Sequence, residues 1–116
     1  MCGFLGVSSK EYFFDNEYKV MKSFDWLKHR GPDESRSHIL ENFFIGFHRL
    51  SIVGINNRKA SQPFFWKNNR SLMFNGEIYN FKQLSEEKFS NTELEIDEKK
   101  SDTLILSNLI QKYGYK

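Results

Sequence analysis

The apolar run CGFLGVS at residues 2–8 reads as a short buried strand, so this chain must bury a strand that begins at its own terminus. That requirement sets the single cysteine, Cys2, directly behind Met1. Loss of Met1 would leave a thiol and a free α-amino group on one residue. A lone cysteine cannot close an internal disulfide, which fits a reducing, cytoplasmic setting.

The rest of the chain alternates between strand and helix signals. Residues 17–28 (EYKVMKSFDWLK) place Val20, Phe24 and Leu27 on one helical face after an Asp15–Asn16 start signal. HRGPDES at 29–35 breaks that helix, because Gly31–Pro32 cannot continue it. Residues 38–53 contain β-branched and aromatic residues in the pattern of a hairpin, and the polar loop GINNRKAS (54–61) leads on to QPFFW. RSLMFNGEIYNF (70–81) reads as two strand-like runs around Asn75–Gly76, a dipeptide that accepts positive φ cheaply and suits a type I′ turn. Asn80 and Gln83 form an N-cap and N3 pair opening a helix through about Glu87. The charged stretch EIDEKK precedes an amphipathic helix with Leu106, Leu109, Ile110 and Tyr113 at helical spacing. The chain ends at QKYGYK, which reads as a last helical turn without a stop signal. Strands outnumber helices and the helices sit between hairpins, the order of an α+β layered domain.

Composition limits the function classes. A length of 116 residues suits one domain, and 12 Phe, 5 Tyr and 2 Trp supply a core. Seventeen basic residues against fifteen acidic ones leave +2, spread evenly along the chain, so there is no basic arm for nucleic acid. No apolar run approaches the roughly 20 residues of a membrane span, and no secretory leader precedes the first strand. His29, His38 and His48 lack metal-ligand spacing, so no metal is assigned.

Singly, the suggestive stretches have plain readings. Cys2 suits a small buried apolar position, RGPD a helix stop, Arg49 a surface cation and Asp102 a helix start. As an ordered set they carry more. MCG at the terminus, HRGPDE at 29–34, HRLSIV at 48–53, QPF at 62–64, NGEIYN at 75–80 and SDT at 101–103 span nearly the whole chain. This set resembles the glutamine-hydrolysing domain of asparagine synthetases, a class II glutamine amidotransferase of the N-terminal nucleophile hydrolase type.

The resemblance implies an αββα sandwich, two antiparallel sheets between helix layers, incomplete at its C-terminus. It implies hydrolysis of glutamine to glutamate and ammonia through a thioester on Cys2. An amide is a poor electrophile, and only a few per cent of a free thiol is thiolate near neutrality, so the nucleophile needs a base. An α-amino group, titrating near roughly 7.7–8.0 in peptides, can serve as that base. The family's oxyanion donors fall on the Asn75 side-chain amide and the Gly76 N–H. Arg49 would meet the glutamine α-carboxylate with its planar fork, and Glu77 and Asp102 the α-ammonium. The backbone at Ile52 and Val53 would line the pocket. Arg30 and Asp33 read as a structural charged pair holding the loop over the nucleophile.

Three features depart from the family pattern. SDTL stands at 101–104 where SDTE is usual, so Ser101 caps its helix without a reciprocal Glu. Gly54 stands where Asp often follows SIV. The chain is also shorter than the family's glutaminase domain, so it reads as a truncated product, a fragment or one piece of a split enzyme. No Gly-rich phosphate loop is present. The resemblance implies no cofactor in this chain, with ATP and magnesium serving a missing synthetase domain or a separate ammonia-using partner. Rival readings are the glutaminase part of another amidotransferase, such as one in amino-sugar or surface-polysaccharide synthesis, and a truncated non-catalytic remnant.

Overall fold

The computed structural model describes residues 1–8, 15–40, 43–52, 55, 57–67, 70–89 and 93–114. These fall into two compact units, Met1–Leu50 and Ser51–Lys116.

The first unit is organised by FFIGFHR. Its residues form strand β3 (Phe43–Arg49), flanked by β1 (Gly3–Val7) and β2 (Glu34–Leu40) in an antiparallel sheet of order β1-β3-β2. The register pairs Gly3 with His48 and Val7 with Phe44 on one side, and Glu34 with Arg49 and Leu40 with Phe43 on the other. Residues two apart on a strand share a face, so Phe44, Gly46 and His48 look the same way. Helix α1 (Glu17–Trp26) lays Phe24 across that face. The Phe24 ring meets Phe44 edge-on at 5.7 Å and stacks on His48 at 3.9 Å between centroids. Gly46 makes room for it, since a β-carbon there would stand 2.6 Å from Phe24 Cε2. Val20, Phe24 and Phe44 form the core, with Leu5, Val7 and Met21 packed around it. Burying a side chain such as Phe24 contributes about 1.5–3 kcal/mol.

The structure corrects several boundaries here. β1 is not buried throughout: as an edge strand with one covered face it alternates, and Phe4 is exposed. Asn16 occupies the N-cap but its side chain makes no cap bond, and the helix passes at Leu27 into a 3₁₀ turn through Arg30. The hairpin begins at Glu34, inside the stretch read as a breaker, and ends at Arg49. Cross-strand pairing with β3 draws the polar ESRSH segment into the sheet as its exposed edge.

The second unit contains a small antiparallel pair, β4 (Phe64–Trp66) and β5 (Arg70–Leu72), with helices α2 (Phe81–Lys88) and α3 (Asp102–Tyr113). Phe89, Leu94 and Ile105 form its core, with Phe81, Leu84 and Leu109 packed against them. Ser101 caps α3, its hydroxyl accepting the Leu104 N–H at 3.4 Å. Leu104 is itself buried, so the residue that forfeits a capping box fills apolar space instead.

The structure departs from the sequence pattern at four places in this unit. Leu109 packs against the core as expected, but the buried residues of α3 are Asp102, Leu104, Ile105 and Ser107, and Tyr113 is exposed, so the inward face is rotated towards Ile105. The helix has a stop: Gly114 takes φ 81° and its N–H reaches the Ile110 carbonyl at 2.9 Å. The β-hairpin links β4 to β5 and not the runs around Asn75–Gly76, and Gly114 alone among the described glycines has positive φ, so no type I′ turn forms at Gly76. Asn80 sits at the N-cap of α2 without a side-chain cap bond, while Gln83 bonds Glu87 one turn on, at 2.7 Å. Among the described residues no helix is long and apolar enough to cross a membrane.

Candidate active site

In the first unit the structure ties the terminus to the end of β3. The Cys2 Sγ accepts the Leu50 N–H at 3.3 Å and donates to the Leu50 carbonyl at 3.8 Å. Cys2 is half-buried, while Met1 is 75% exposed, so the bond to be cut to free the α-amine lies in the open. Arg30 donates from Nε to the Cys2 carbonyl at 3.1 Å. That is its role here, in place of the expected pairing with Asp33. The main chain at Gly3 approaches the 3₁₀ turn closely, a β-carbon there standing 3.0 Å from the Leu27 carbonyl.

The HRGPD and HRL segments are one structural feature. Gly31 lies directly on the peptide joining His48 to Arg49, where a β-carbon would collide with the His48 carbonyl and stand 2.6 Å from Arg49 N. The Asp33 N–H then donates to the Arg49 carbonyl at 3.1 Å. Arg49 is buried, with its Nη1 3.7 Å from Glu34 Oε2. Glu34 also holds Arg36, at 2.7 Å. His48 is fully buried: its Nε2 donates to the Phe24 carbonyl at 2.9 Å, and Nδ1 accepts from the Ser35 hydroxyl at 2.7 Å. It serves the fold, since both nitrogens are engaged.

In the second unit, Asn75, Gly76 and Glu77 are exposed and lie between two fixed points. On one side Gln62, itself buried, accepts the Phe74 N–H at 2.6 Å and donates to the Phe74 carbonyl at 3.1 Å. On the other side Asp102 accepts the Ile78 N–H at 3.1 Å on Oδ2 and the Thr103 N–H at 2.8 Å on Oδ1. These side chains take the main-chain groups that a hairpin ladder would use, which is why none forms there. The Phe74 ring lies against Gly76, with Cζ 2.8 Å from where a β-carbon would be. Ile52 is exposed, and Val53 and Gly54 lie outside the described residues.

A model of the glutamine amidotransferase domain family matches residues 1–116. The chain belongs to that family. This glutamine amidotransferase domain is similar to asparagine synthetase [glutamine-hydrolyzing] 1 of Bacillus subtilis (strain 168), 37% identical over 91 residues, which are 75% of the chain and 14% of the relative. It is also similar to the root asparagine synthetase of Pisum sativum, 32% identical over 120 residues, covering 98% of the chain and 19% of the relative. The asparagine synthetase of Gallus gallus is 41% identical over 69 residues, 53% of the chain and 11% of the relative. The chain thus spans less than a fifth of the length of these relatives.

Two features of this amidotransferase domain escaped the sequence reading. The QPF motif was legible as a motif but carried no role, and Gln62 turns out to grip the residue before Asn75. Leu50, the thiol's partner through both main-chain groups, gave no side-chain signal at all.

Proposed function

We propose that this chain is the glutaminase part of an asparagine synthetase-type enzyme, an N-terminal nucleophile hydrolase in which Cys2 is the nucleophile. The Cys2 Sγ attacks the side-chain amide carbon of glutamine, and its proton passes to the α-amine freed by removal of Met1. The α-amine returns that proton to the amide nitrogen of the tetrahedral intermediate, whose collapse breaks the C–N bond and expels ammonia. Water then cleaves the γ-glutamyl thioester, releasing glutamate and restoring the thiol. In this assignment the Asn75 amide and Gly76 N–H stabilise the oxyanion, a donor of this kind being worth about 3 kcal/mol. Arg49 pairs with the α-carboxylate, Glu77 and Asp102 with the α-ammonium, and the backbone at Ile52 and Val53 lines the pocket. In a complete enzyme the ammonia would attack an ATP-activated aspartate. ATP and magnesium serve that synthetase part, and no residue of this chain is assigned to them.

The observation that carries the proposal is the whole-chain family match; Cys2, the chain's single cysteine directly behind Met1, is the residue this reading takes as nucleophile. A diazo-ketone analogue of glutamine should alkylate Cys2, and excess glutamine should protect it. Labelling indifferent to glutamine would reduce Cys2 to an accessible thiol and end the proposal.

A further inference from the structure

We propose that Gln62 is a positioning residue for the oxyanion donors, acting through the main chain of Phe74; this rests on the reading of Asn75 and Gly76 given above. Gln62 is only 4% exposed, and its amide meets both main-chain groups of Phe74, the N–H at 2.6 Å and the carbonyl at 3.1 Å. A side-chain amide can donate and accept in this planar, paired manner without carrying charge. It is set in a run of buried residues, Ala60, Ser61, Gln62 and Pro63, so the grip comes from a fixed base. Phe74 precedes Asn75 directly, and its ring rests on Gly76.

The consequence is geometric. Asn75, Gly76 and Glu77 are exposed, so little of the segment is buried. Buried side chains grip both of its ends: Gln62 fixes Phe74, and Asp102 fixes the Ile78 N–H. Releasing the Phe74 end lets the peptide plane before Asn75 rotate, and both donors swing with it. A displacement of about 1 Å at a reacting centre costs on the order of 100-fold in rate. The loss falls on kcat, because the donors act on the transition state and not on bound glutamine.

Gln62→Glu is the informative variant. When ionised, its carboxylate still accepts from the Phe74 N–H but repels the Phe74 carbonyl; Gln62→Leu, which can neither donate nor accept, is measured beside it to cover a protonated carboxyl. We expect kcat for glutamine hydrolysis to fall about 10- to 100-fold with KM within about twofold, and expect a smaller further fall, from displacement of the Gly76 N–H alone, when Gln62→Glu is added to Asn75→Ala. A merely structural role would give losses that multiply. If Asn75→Ala itself leaves kcat unchanged, the oxyanion reading fails. If Asn75→Ala is damaging but Gln62→Glu and Gln62→Leu are both silent, the reading stands and the positioning role is overturned. A second arm needs no turnover. In amide-resolved NMR spectra of the 116-residue chain, the Asn75 side-chain amide and Gly76 N–H of Gln62→Glu should shift or broaden while Ile105 stays in place. Unmoved Asn75 and Gly76 signals would overturn the proposal. Loss of Ile105 as well would also overturn it, by making Gln62 a residue of the core.

Discussion

Gly31→Ala should be the most damaging single-methyl change in the first unit. The damage comes from lost space and not from backbone strain, since Gly31 has φ −147°, which any residue adopts. Its added β-carbon would overlap the His48 carbonyl group and stand 2.6 Å from Arg49 N. All of these are main-chain atoms of the central strand, locked on both sides by β1 and β2, so no side chain can swing away. Overpacking typically costs about 1–3 kcal/mol, and rigid neighbours put this case at the upper end. Lifting the loop also breaks the bond from the Asp33 N–H to the Arg49 carbonyl, which adds about 1 kcal/mol. The expected total is about 3–4 kcal/mol, a large share of the about 5–15 kcal/mol that holds a small domain together. Gly6→Ala supplies the control, because a β-carbon at Gly6 meets nothing within 4 Å. There the loss of chain entropy in the unfolded state should leave stability unchanged or raised by up to about 1 kcal/mol. Urea unfolding followed by circular dichroism, with amide exchange on β3 to assign the transition, measures both. Equal midpoints for the two variants would refute the close approach of HRGPD to β3.

Intact-mass measurement after bacterial expression should find Met1 absent; its retention in nearly all molecules would leave Cys2 without the proposed base. Asn75→Ala should lower kcat by about 100-fold with a small change in KM, and a KM effect alone would move Asn75 into ground-state binding. Gly114→Ala should destabilise the end of α3 by about 1 kcal/mol, read as faster amide exchange in its last turn, because φ 81° disfavours a β-carbon. Lys112 has its pKa raised above 10.5, chiefly by the hydrogen bond to Glu93. A raised value means the contribution is complete below 10.5 and fades as pH climbs through the folded-state value, so Lys112→Met should alter thermal midpoints below 10.5 and converge with the parent well above it.

Local signals made much of this molecule legible. β1, the first helix, the hairpin and the lone Ser101 cap follow from periodicity and cap chemistry, which act between near neighbours. What was misread depends on distant partners. Asn75–Gly76 has hairpin composition, yet its flanking N–H groups go to Gln62, 12 residues from Phe74, and to Asp102, 24 residues from Ile78. The inward face of α3 was also beyond the sequence: two apolar stripes share the helix, and Phe89 and Leu94 decide in favour of Ile105. In the candidate site the residue types were readable from the motifs. The residues that aim them, Arg30 and Gln62, act through main-chain contacts that leave little trace in composition.

The sheet takes hold of the chain at Gly3, opposite His48, and Arg30 fastens the carbonyl just before it, while Met1 stands in solvent. Everything ahead of Cys2 is therefore invisible to folding. An affinity tag fused at that end could leave the fold in place and would still cap the one amine that the proposed chemistry uses. Preparations of this chain should carry any tag at the other end, or release it by a cut directly before Cys2.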